Sequence, residues 1–155
     1  MKKIALLFLM LCLCFGCQSQ NNNSQLDIYQ QIVDHLQQKQ EFDSSYPCQI
    51  EVIFNPIEDY FRYDVIIHQA TKDMYNIKAV AYVDNSLDES YPSLGVFDEE
   101  EYHLKVDYVD KTHNYYKGVQ LSGTCQKEET VKLYLSYYAD EQKTKQIEKY
   151  IEVNK

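Results

Sequence analysis

The sequence contains no tryptophan, and only 4 of its 155 residues are glycine. Three of these glycines, Gly95, Gly118 and Gly123, are scattered over the second half of the chain. Phosphate-binding loops need closely spaced glycines, which let backbone N–H groups converge on the ligand. The sequence therefore argues against nucleotide binding of the usual kinds.

Positive charge is also scarce. Arg62 is the single arginine, and 15 basic residues face 24 acidic residues, which gives a net charge of −9 at pH 7. Nucleic-acid binding depends on lysine and arginine side chains that neutralise phosphates, and adhesion to anionic lipid headgroups has the same requirement. The composition argues against both partners and is typical of a soluble, self-repelling surface.

No apolar run in the sequence is long enough to span a bilayer. The longest, residues 4–15, has 12 residues, whereas a spanning helix needs about 20. Lys2 and Lys3 precede this run, and Gly16 and Cys17 follow it. A basic start, a short apolar core and a small residue at its end are typical of a secretory signal.

The end of this segment resembles the lipobox of bacterial lipoprotein precursors, in which a cysteine after a small residue is acylated on sulfur and becomes the new N-terminus. Gly16 fills the small position and Cys17 the acylated one, while Cys14 stands where leucine is usual. The resemblance covers residues 1–17 and implies location only. It implies a signal peptide over residues 1–16 and an extracytoplasmic domain anchored to the cell membrane by lipid, since two acyl chains give stable anchoring. Ordinary cleaved secretion and a retained anchor are the alternatives.

Two cysteines lie beyond this segment, Cys48 and Cys125. An exported protein meets an oxidising compartment, in which cysteines pair. Pairing requires Cα atoms within about 7 Å of each other, which a sequence does not reveal. A disulfide between Cys48 and Cys125 and two buried free thiols are therefore both open.

Residues 25–155 predict a single domain, given the usual size of domains. Residues 17–24 are polar and predict a flexible tether. Residues 25–42 predict a helix, because apolar residues from Tyr29 to Leu36 recur at helical spacing. The apolar stripe is narrow, so this helix needs a partner surface.

From residue 47 onward the apolar period changes to two, which predicts strands up to residue 153. Seven segments alternate in this way: 49–54, 60–68, 75–83, 102–108, 115–121, 131–137 and 147–153. The last segment fits either a helix or a strand, and the short charged turn before it favours a hairpin. Residues 85–101 show no alternation and predict a long acidic loop.

This pattern predicts a mainly β protein in which an N-terminal helix precedes a seven-strand antiparallel sandwich of immunoglobulin-like type. The cysteine and tryptophan signature of immunoglobulin domains is absent, so the prediction concerns architecture alone. The alternative is an α+β fold, with the helix packed on one curved antiparallel sheet as in cystatin-like folds.

No pattern in the sequence predicts catalysis or a cofactor. Covalent catalysis needs a nucleophile, a base and an orienting group, and no serine lies in a nucleophile-elbow pattern. Cys125 has His103 and His113 as candidate bases, but the disulfide competes with that role. We therefore expect a protein that is not an enzyme.

No pattern predicts a metal site either. Glu101, His103, Asp107 and His113 match no zinc spacing. Asp84 and its neighbours faintly resemble the start of a calcium loop, but the glycine and the bidentate glutamate of such loops are missing. A solvated acidic loop is the simpler interpretation, with a non-standard calcium site as the alternative.

Tyrosine is frequent, with 15 residues. Five tyrosines fall opposite the inferred core face of the strands: Tyr60, Tyr82, Tyr116, Tyr134 and Tyr138. Aromatic residues are enriched where partners bind, although tyrosine also suits strands and the helix must cover some surface. Arg62 shares a strand face with Asp64, which predicts an ion pair or, alternatively, recognition of an anionic group.

Together these observations predict a non-catalytic binding or interaction module, tethered to the membrane through Cys17, with a protein or glycan partner in the cell envelope. The candidate partner-binding residues are Tyr60, Arg62, Tyr82, Tyr116, Tyr134 and Tyr138. One alternative is an envelope hydrolase or modifying enzyme with a site in the acidic loop, near Asp98 and Glu100. Another is a structural envelope protein in which the helix mediates self-association.

Overall fold

The computed structural model describes residues 20–154. These residues form one α-helix, nine β-strands and a short 3-10 turn at Lys111–His113. The helix, α1, spans Gln20–Gln38. The strands are β1 Gln49–Ile57, β2 Tyr60–His68, β3 Tyr75–Tyr82, β4 Ser93–Leu94, β5 His103–Leu104, β6 Tyr115–Tyr116, β7 Gly118–Cys125, β8 Val131–Tyr138 and β9 Gln146–Val153. Within residues 20–154, no helix combines the length and the hydropathy needed to cross a bilayer.

Two antiparallel sheets form a sandwich, one with the strand order β1–β2–β7 and the other with the order β4–β3–β8–β9. When the short strands β5 and β6 are set aside, the remaining strands follow the immunoglobulin arrangement, A-B-E facing C-F-G. The strand β4 pairs with β3 and so extends the second sheet. The predicted helix and antiparallel sandwich are confirmed, with nine strands in the described part of the chain instead of seven.

The core lies between the two sheets, because alternate residues of each strand point inward. Val65 and Ile67 of β2 face Ile77 of β3 and Leu133 and Leu135 of β8 within one cluster of fully buried side chains. The outer face of the sheet β1–β2–β7 is mainly polar, with Glu51, Arg62 and Gln120 exposed, as expected for an antiparallel sheet with one solvated face.

The helix α1 creates a second core on the outer face of the other sheet. Its apolar stripe, which includes Ile32 and Leu36, packs against Val80, Tyr82 and Tyr134. The strands β3 and β8 are therefore buried on both faces, and their burial patterns are nearly continuous instead of alternating. This packing gives the helix the partner surface that its narrow stripe requires.

The helix begins and ends earlier than the predicted range 25–42. It starts at Gln20, so residues 20–24 of the segment predicted as a tether belong to the helix. It ends at Gln38, and the chain beyond it is bound to β9. The backbone N–H of Asp43 donates to the carbonyl of Tyr150 at 2.6 Å.

Two strand predictions differ from the structure, and the structure resolves a third segment that the sequence left ambiguous. β1 continues past its predicted end at residue 54 and includes Pro56, because β1 is an edge strand and needs no donor at that position. The predicted strand over 102–108 is reduced to β5, which pairs with β6 in parallel. The ambiguous final segment is β9, paired with β8 along its whole length, which confirms the hairpin.

Candidate functional site

The predicted aromatic platform is wrong for Tyr82 and Tyr134, which are only 4% and 5% exposed. They do point away from the core between the sheets, but α1 covers them. The hydroxyl of Tyr82 donates to Asp84 at 2.9 Å, and that of Tyr134 donates to Glu148 at 3.2 Å. Both rings serve the packing of the helix and are closed to a partner.

The other three predicted tyrosines do not meet on one surface. Tyr60 begins β2, whereas Tyr138 ends β8 and pairs with Tyr75 at the opposite end of the sandwich. Tyr116 packs on the ring of Tyr102, with ring centroids 5.8 Å apart. All three are half-buried, so each contributes to local packing.

The predicted ion pair between Arg62 and Asp64 is present, with Nη2 and Oδ1 2.9 Å apart. Asp64 also accepts hydrogen bonds from Gln120 at 2.9 Å and from Ser122 at 2.6 Å. Burial is the largest single influence and opposes ionisation, but the hydrogen bonds from Ser122, Arg62 and Gln120 and the positive charge of Arg62 together lower the pKa of Asp64. The guanidinium of Arg62 therefore forms a structural ion pair with Asp64 on the outer face of the sheet.

Cys48 and Cys125 are free and buried, so of the two alternatives left open by the sequence the structure has the buried free thiols and not the disulfide. The strand register gives the reason. Cys48 precedes Gln49, which pairs with His68 at the end of β2, while Cys125 pairs with Phe61 at its beginning. Seven residues of strand, roughly 23 Å, separate these two positions, far beyond the reach of a disulfide.

The acidic and histidine side chains considered as metal ligands or catalytic groups form separate hydrogen bonds in turns and strands. Asp88 accepts hydrogen bonds from the backbone N–H and the hydroxyl of Thr124, both at 2.6 Å, and Asp98 accepts one from Gly95 N–H, also at 2.6 Å. The ring of His113 lies 2.7 Å from Asp110. Within residues 20–154, no three His, Cys, Asp or Glu side chains form a group suited to a metal ion.

A cluster of rings that the sequence analysis missed lies at one end of the sandwich, where β2 ends and β3 begins. We call it the aromatic cluster; its members are Tyr75, His103, Tyr108 and Tyr115, with Lys105 beside them. The ring centroids of His103 and Tyr115 are 5.0 Å apart, and those of Tyr108 and Tyr115 are 5.2 Å apart. The Lys105 ammonium lies 5.5 Å from the centroid of Tyr108, within the range of cation–π attraction.

The segment after β5 carries an exposed apolar surface on this cluster. Val106, Tyr108 and Val109 are 41%, 44% and 52% exposed, and we call these three residues the apolar tip. Tyr108 and Val109 also line a cleft of about 330 Å³ with Lys105 and Lys117.

Hydrogen bonds and turn chemistry hold the apolar tip in place. Asp73 accepts a hydrogen bond from the backbone N–H of Val106 at 3.0 Å. Asp107 adopts a φ of 53°, a conformation that aspartate tolerates in turns. Asp110 then caps the 3-10 turn through Thr112 N–H, and hydrogen bonds from Thr112 and His113 lower the pKa of Asp110 to about 2. The tip is therefore preorganised.

His103 has a structural place in the cluster. Its Nδ1 accepts a hydrogen bond from the backbone N–H of Asn76 at 3.0 Å, and burial lowers its pKa, with Glu101 opposing that shift. The ring is therefore neutral at pH 7 and packs in a tilted orientation against both Tyr75 and Tyr115.

Comparison of the chain with protein families, with curated proteins and with solved structures finds no match. The predicted signal peptide over residues 1–16 and Cys17 lie outside the described residues. A functional assignment for the domain therefore depends on its own surface. Among the described residues, the apolar tip groups three exposed large apolar side chains close together in sequence, whereas Leu26 and Ile28 form only a pair.

Proposed function

We propose that this protein is a non-catalytic binding module, held on the outer side of a bacterial cell membrane by lipid on Cys17, and that a protein partner docks on the apolar tip. The resemblance of residues 1–17 to a lipoprotein signal supports the location. The exposure of Val106, Tyr108 and Val109 on a preorganised loop carries the assignment of the binding surface.

The composition of the tip fits a protein interface. Aromatic residues that anchor in a partner's pocket dominate binding energy at such surfaces, and Tyr108 is supported from behind by Tyr115 at 5.2 Å. Because the loop is already ordered, binding costs little additional conformational entropy. Immunoglobulin-like sandwiches also carry their binding loops clustered at one end.

The position of α1 supports an outward-facing tip. Tyr29 of α1 donates to the carbonyl of Tyr91, and the next carbonyl, that of Pro92, accepts from Ala81 near the C-terminal end of β3. The tip contacts Tyr115, whose ring also contacts Tyr75, the first residue of β3. Since a strand of eight residues is roughly 26 Å long, a partner reaches the tip without displacing the helix.

Site-specific photocrosslinking on cells that express the full-length protein tests the proposed surface. A photoreactive amino acid at Tyr108 should give a discrete covalent adduct with one protein. The same group at Leu87, which is similarly exposed but lies beside Thr124 in another part of the fold, should give none. Equal adducts from both positions, or no adduct from Tyr108, would contradict the proposal.

Substitutions in the apolar tip test the proposed surface through the yield of the crosslinked adduct. We expect Val109→Asp to reduce the adduct at least about tenfold, because a charge at the centre of an apolar contact is desolvated without a partner. Leu87→Asp is the matched control and should leave the yield unchanged. Both substitutions are at exposed positions, so unfolding free energies should stay within about 0.5 kcal/mol of the parent protein.

The lipid anchor is tested separately. Cys17→Ser should abolish incorporation of labelled palmitate and move the protein from the membrane fraction to the soluble one, whereas Cys14→Ser should do neither. Retention of label in Cys17→Ser would refute the anchor and leave the apolar tip to be judged by crosslinking alone.

A further inference from the structure

A groove of about 600 Å³ lies between three segments at the same end of the sandwich as the aromatic cluster. Its walls are the chain before β1, the turn between β2 and β3, and the hairpin of β8 and β9. We call it the basic groove; it is lined by Ser45, Tyr46, Pro47, Thr71, Lys72, Asp73, Tyr137, Ala139, Lys145, Ile147 and Lys149.

Backbone hydrogen bonds fix the walls of the basic groove. Thr71 N–H donates to the carbonyl of Pro47 at 2.7 Å, which joins the turn to the segment before β1. The same segment is bound to β9 at Asp43, which accepts from Tyr150 N–H at 2.9 Å. The groove therefore has a defined shape in the absence of a ligand.

The charge of the groove is opposite to that of the protein. Three lysines and one aspartate line it, although the whole chain has a net charge of −9. Lys149 is paired with Asp43 at 3.0 Å. Among the described residues, no carboxylate lies within 4.0 Å of the ammonium of Lys72 or Lys145, and both side chains are exposed.

The floor of the groove is apolar and aromatic. Tyr137 and Ile147 belong to the hydrophobic core and its edge, and Tyr46 packs partly buried against the same core. Such a floor suits the C–H faces of sugar rings, since ligand sites combine apolar walls with a few charged groups that fix orientation. A lysine ammonium binds carboxylate or phosphate as a point charge.

We propose that the basic groove binds an anionic glycan, with Lys72 and Lys145 pairing its carboxylate or phosphate groups and Tyr46 and Ile147 contacting its sugar rings. This site is separate from the apolar tip, although Asp73 borders both. The protein would thus bind a carbohydrate in the basic groove and a protein partner at the apolar tip.

Isothermal titration of the intact protein with three probes tests the site. Trigalacturonate carries carboxylates, glucose 1,6-bisphosphate carries phosphates, and maltotriose is neutral. We expect saturable binding of at least one anionic probe, weaker binding at high salt because the charges are screened, and no binding of maltotriose. The stronger anionic probe identifies which acidic group the groove selects. Binding of neither anionic probe, or equal binding of maltotriose, would overturn the proposal.

Charge-neutral variants locate the binding. The double substitution Lys72→Gln and Lys145→Gln should weaken binding at least about tenfold, since it removes two charge-assisted contacts. Lys127→Gln removes an exposed lysine from the turn between β7 and β8 and should leave the affinity unchanged. An equal loss in both proteins would mean that net charge, not the groove, controls binding. Val109→Asp should retain glycan binding, so failure of the tip and failure of the groove are distinguishable.

Discussion

At the scale of single residues, Asp64 shows how one carboxylate joins three strands. It accepts hydrogen bonds from Asn55 of β1, from Arg62 of β2, and from Gln120 and Ser122 of β7. Neighbouring strands on a solvated face gain little from apolar contact, so a shared acceptor ties them together there. Its lowered pKa makes this contribution dependent on pH.

We expect Asp64→Asn to lower the free energy of unfolding at pH 7 by about 1–3 kcal/mol, because donors on three strands lose a charged acceptor. The pKa of Asp64 is lower in the folded protein than the ordinary value of 3.8, so its stabilisation is present above that value and is lost as pH falls through the folded pKa. Urea unfolding at pH 7 and pH 3 should therefore show a smaller acid loss in Asp64→Asn than in the parent. Asp59→Asn, at an exposed turn, is the control, and equal acid losses in all three proteins would refute this role.

Gly95 is the glycine that the backbone requires. Its φ is 69°, and an added Cβ would collide with the backbone carbonyl oxygen of Ile77. Gly95→Ala should therefore destabilise the protein by about 1–3 kcal/mol in thermal or urea unfolding. Ser90→Ala, at an exposed position of the same long connection, should change stability by less than about 0.5 kcal/mol. Equal stability of Gly95→Ala and the parent would contradict the strained geometry.

At the scale of elements, α1 decides which face of the sheet β4–β3–β8–β9 is accessible. Its stripe covers Val80, Tyr82 and Tyr134, which would otherwise form an exposed apolar face. The C-terminal half of α1 makes the packing contacts with the sheet. Leu36 in this half is fully buried, whereas Leu26 in the other half is largely exposed. Substituting each leucine by alanine therefore distinguishes the effect of lost packing from the effect of changed helix propensity.

Leu36→Ala should cost about 2–5 kcal/mol of unfolding free energy, because the substitution leaves a cavity between α1 and the sheet. Leu26→Ala makes the same chemical change on the same helix and should cost less than about 0.5 kcal/mol. Equilibrium urea unfolding of both variants measures the difference. A similar cost for the two substitutions would show that α1 does not pack as described.

In the whole molecule, the sandwich keeps apart the two cysteines that the sequence offers for a disulfide. It also brings together side chains that lie far apart in the sequence. Cys48 and Cys125 lie at opposite ends of β2 through the register of β1 and β7. Conversely, three segments that are far apart in the sequence build the basic groove at one end. Both results follow from the arrangement of the strands and not from any local pattern.

We expect reducing agents to leave the melting temperature unchanged, because no bond joins Cys48 to Cys125. Burial raises the pKa of Cys48 to about 12 and also raises that of Cys125, so both thiols should react slowly with iodoacetamide in the folded protein. In denaturant without reductant both should alkylate fully, as measured by mass spectrometry of the two peptides. A peptide pair linked by a disulfide would contradict this register.

Periodicity in the sequence predicts the helix, most of the strands and the immunoglobulin-like sandwich, because it records which residues share a buried face. The same reasoning assigned a strand to 102–108, since Val106 and Tyr108 alternate in sequence, whereas the positive φ of Asp107 turns both outward as a tip. The helix over Tyr82 and Tyr134, and the groove that Lys72 and Lys145 share, become visible only in the folded protein. Alternation separates the two faces of a strand, but which face another element covers depends on contacts between residues far apart in the chain.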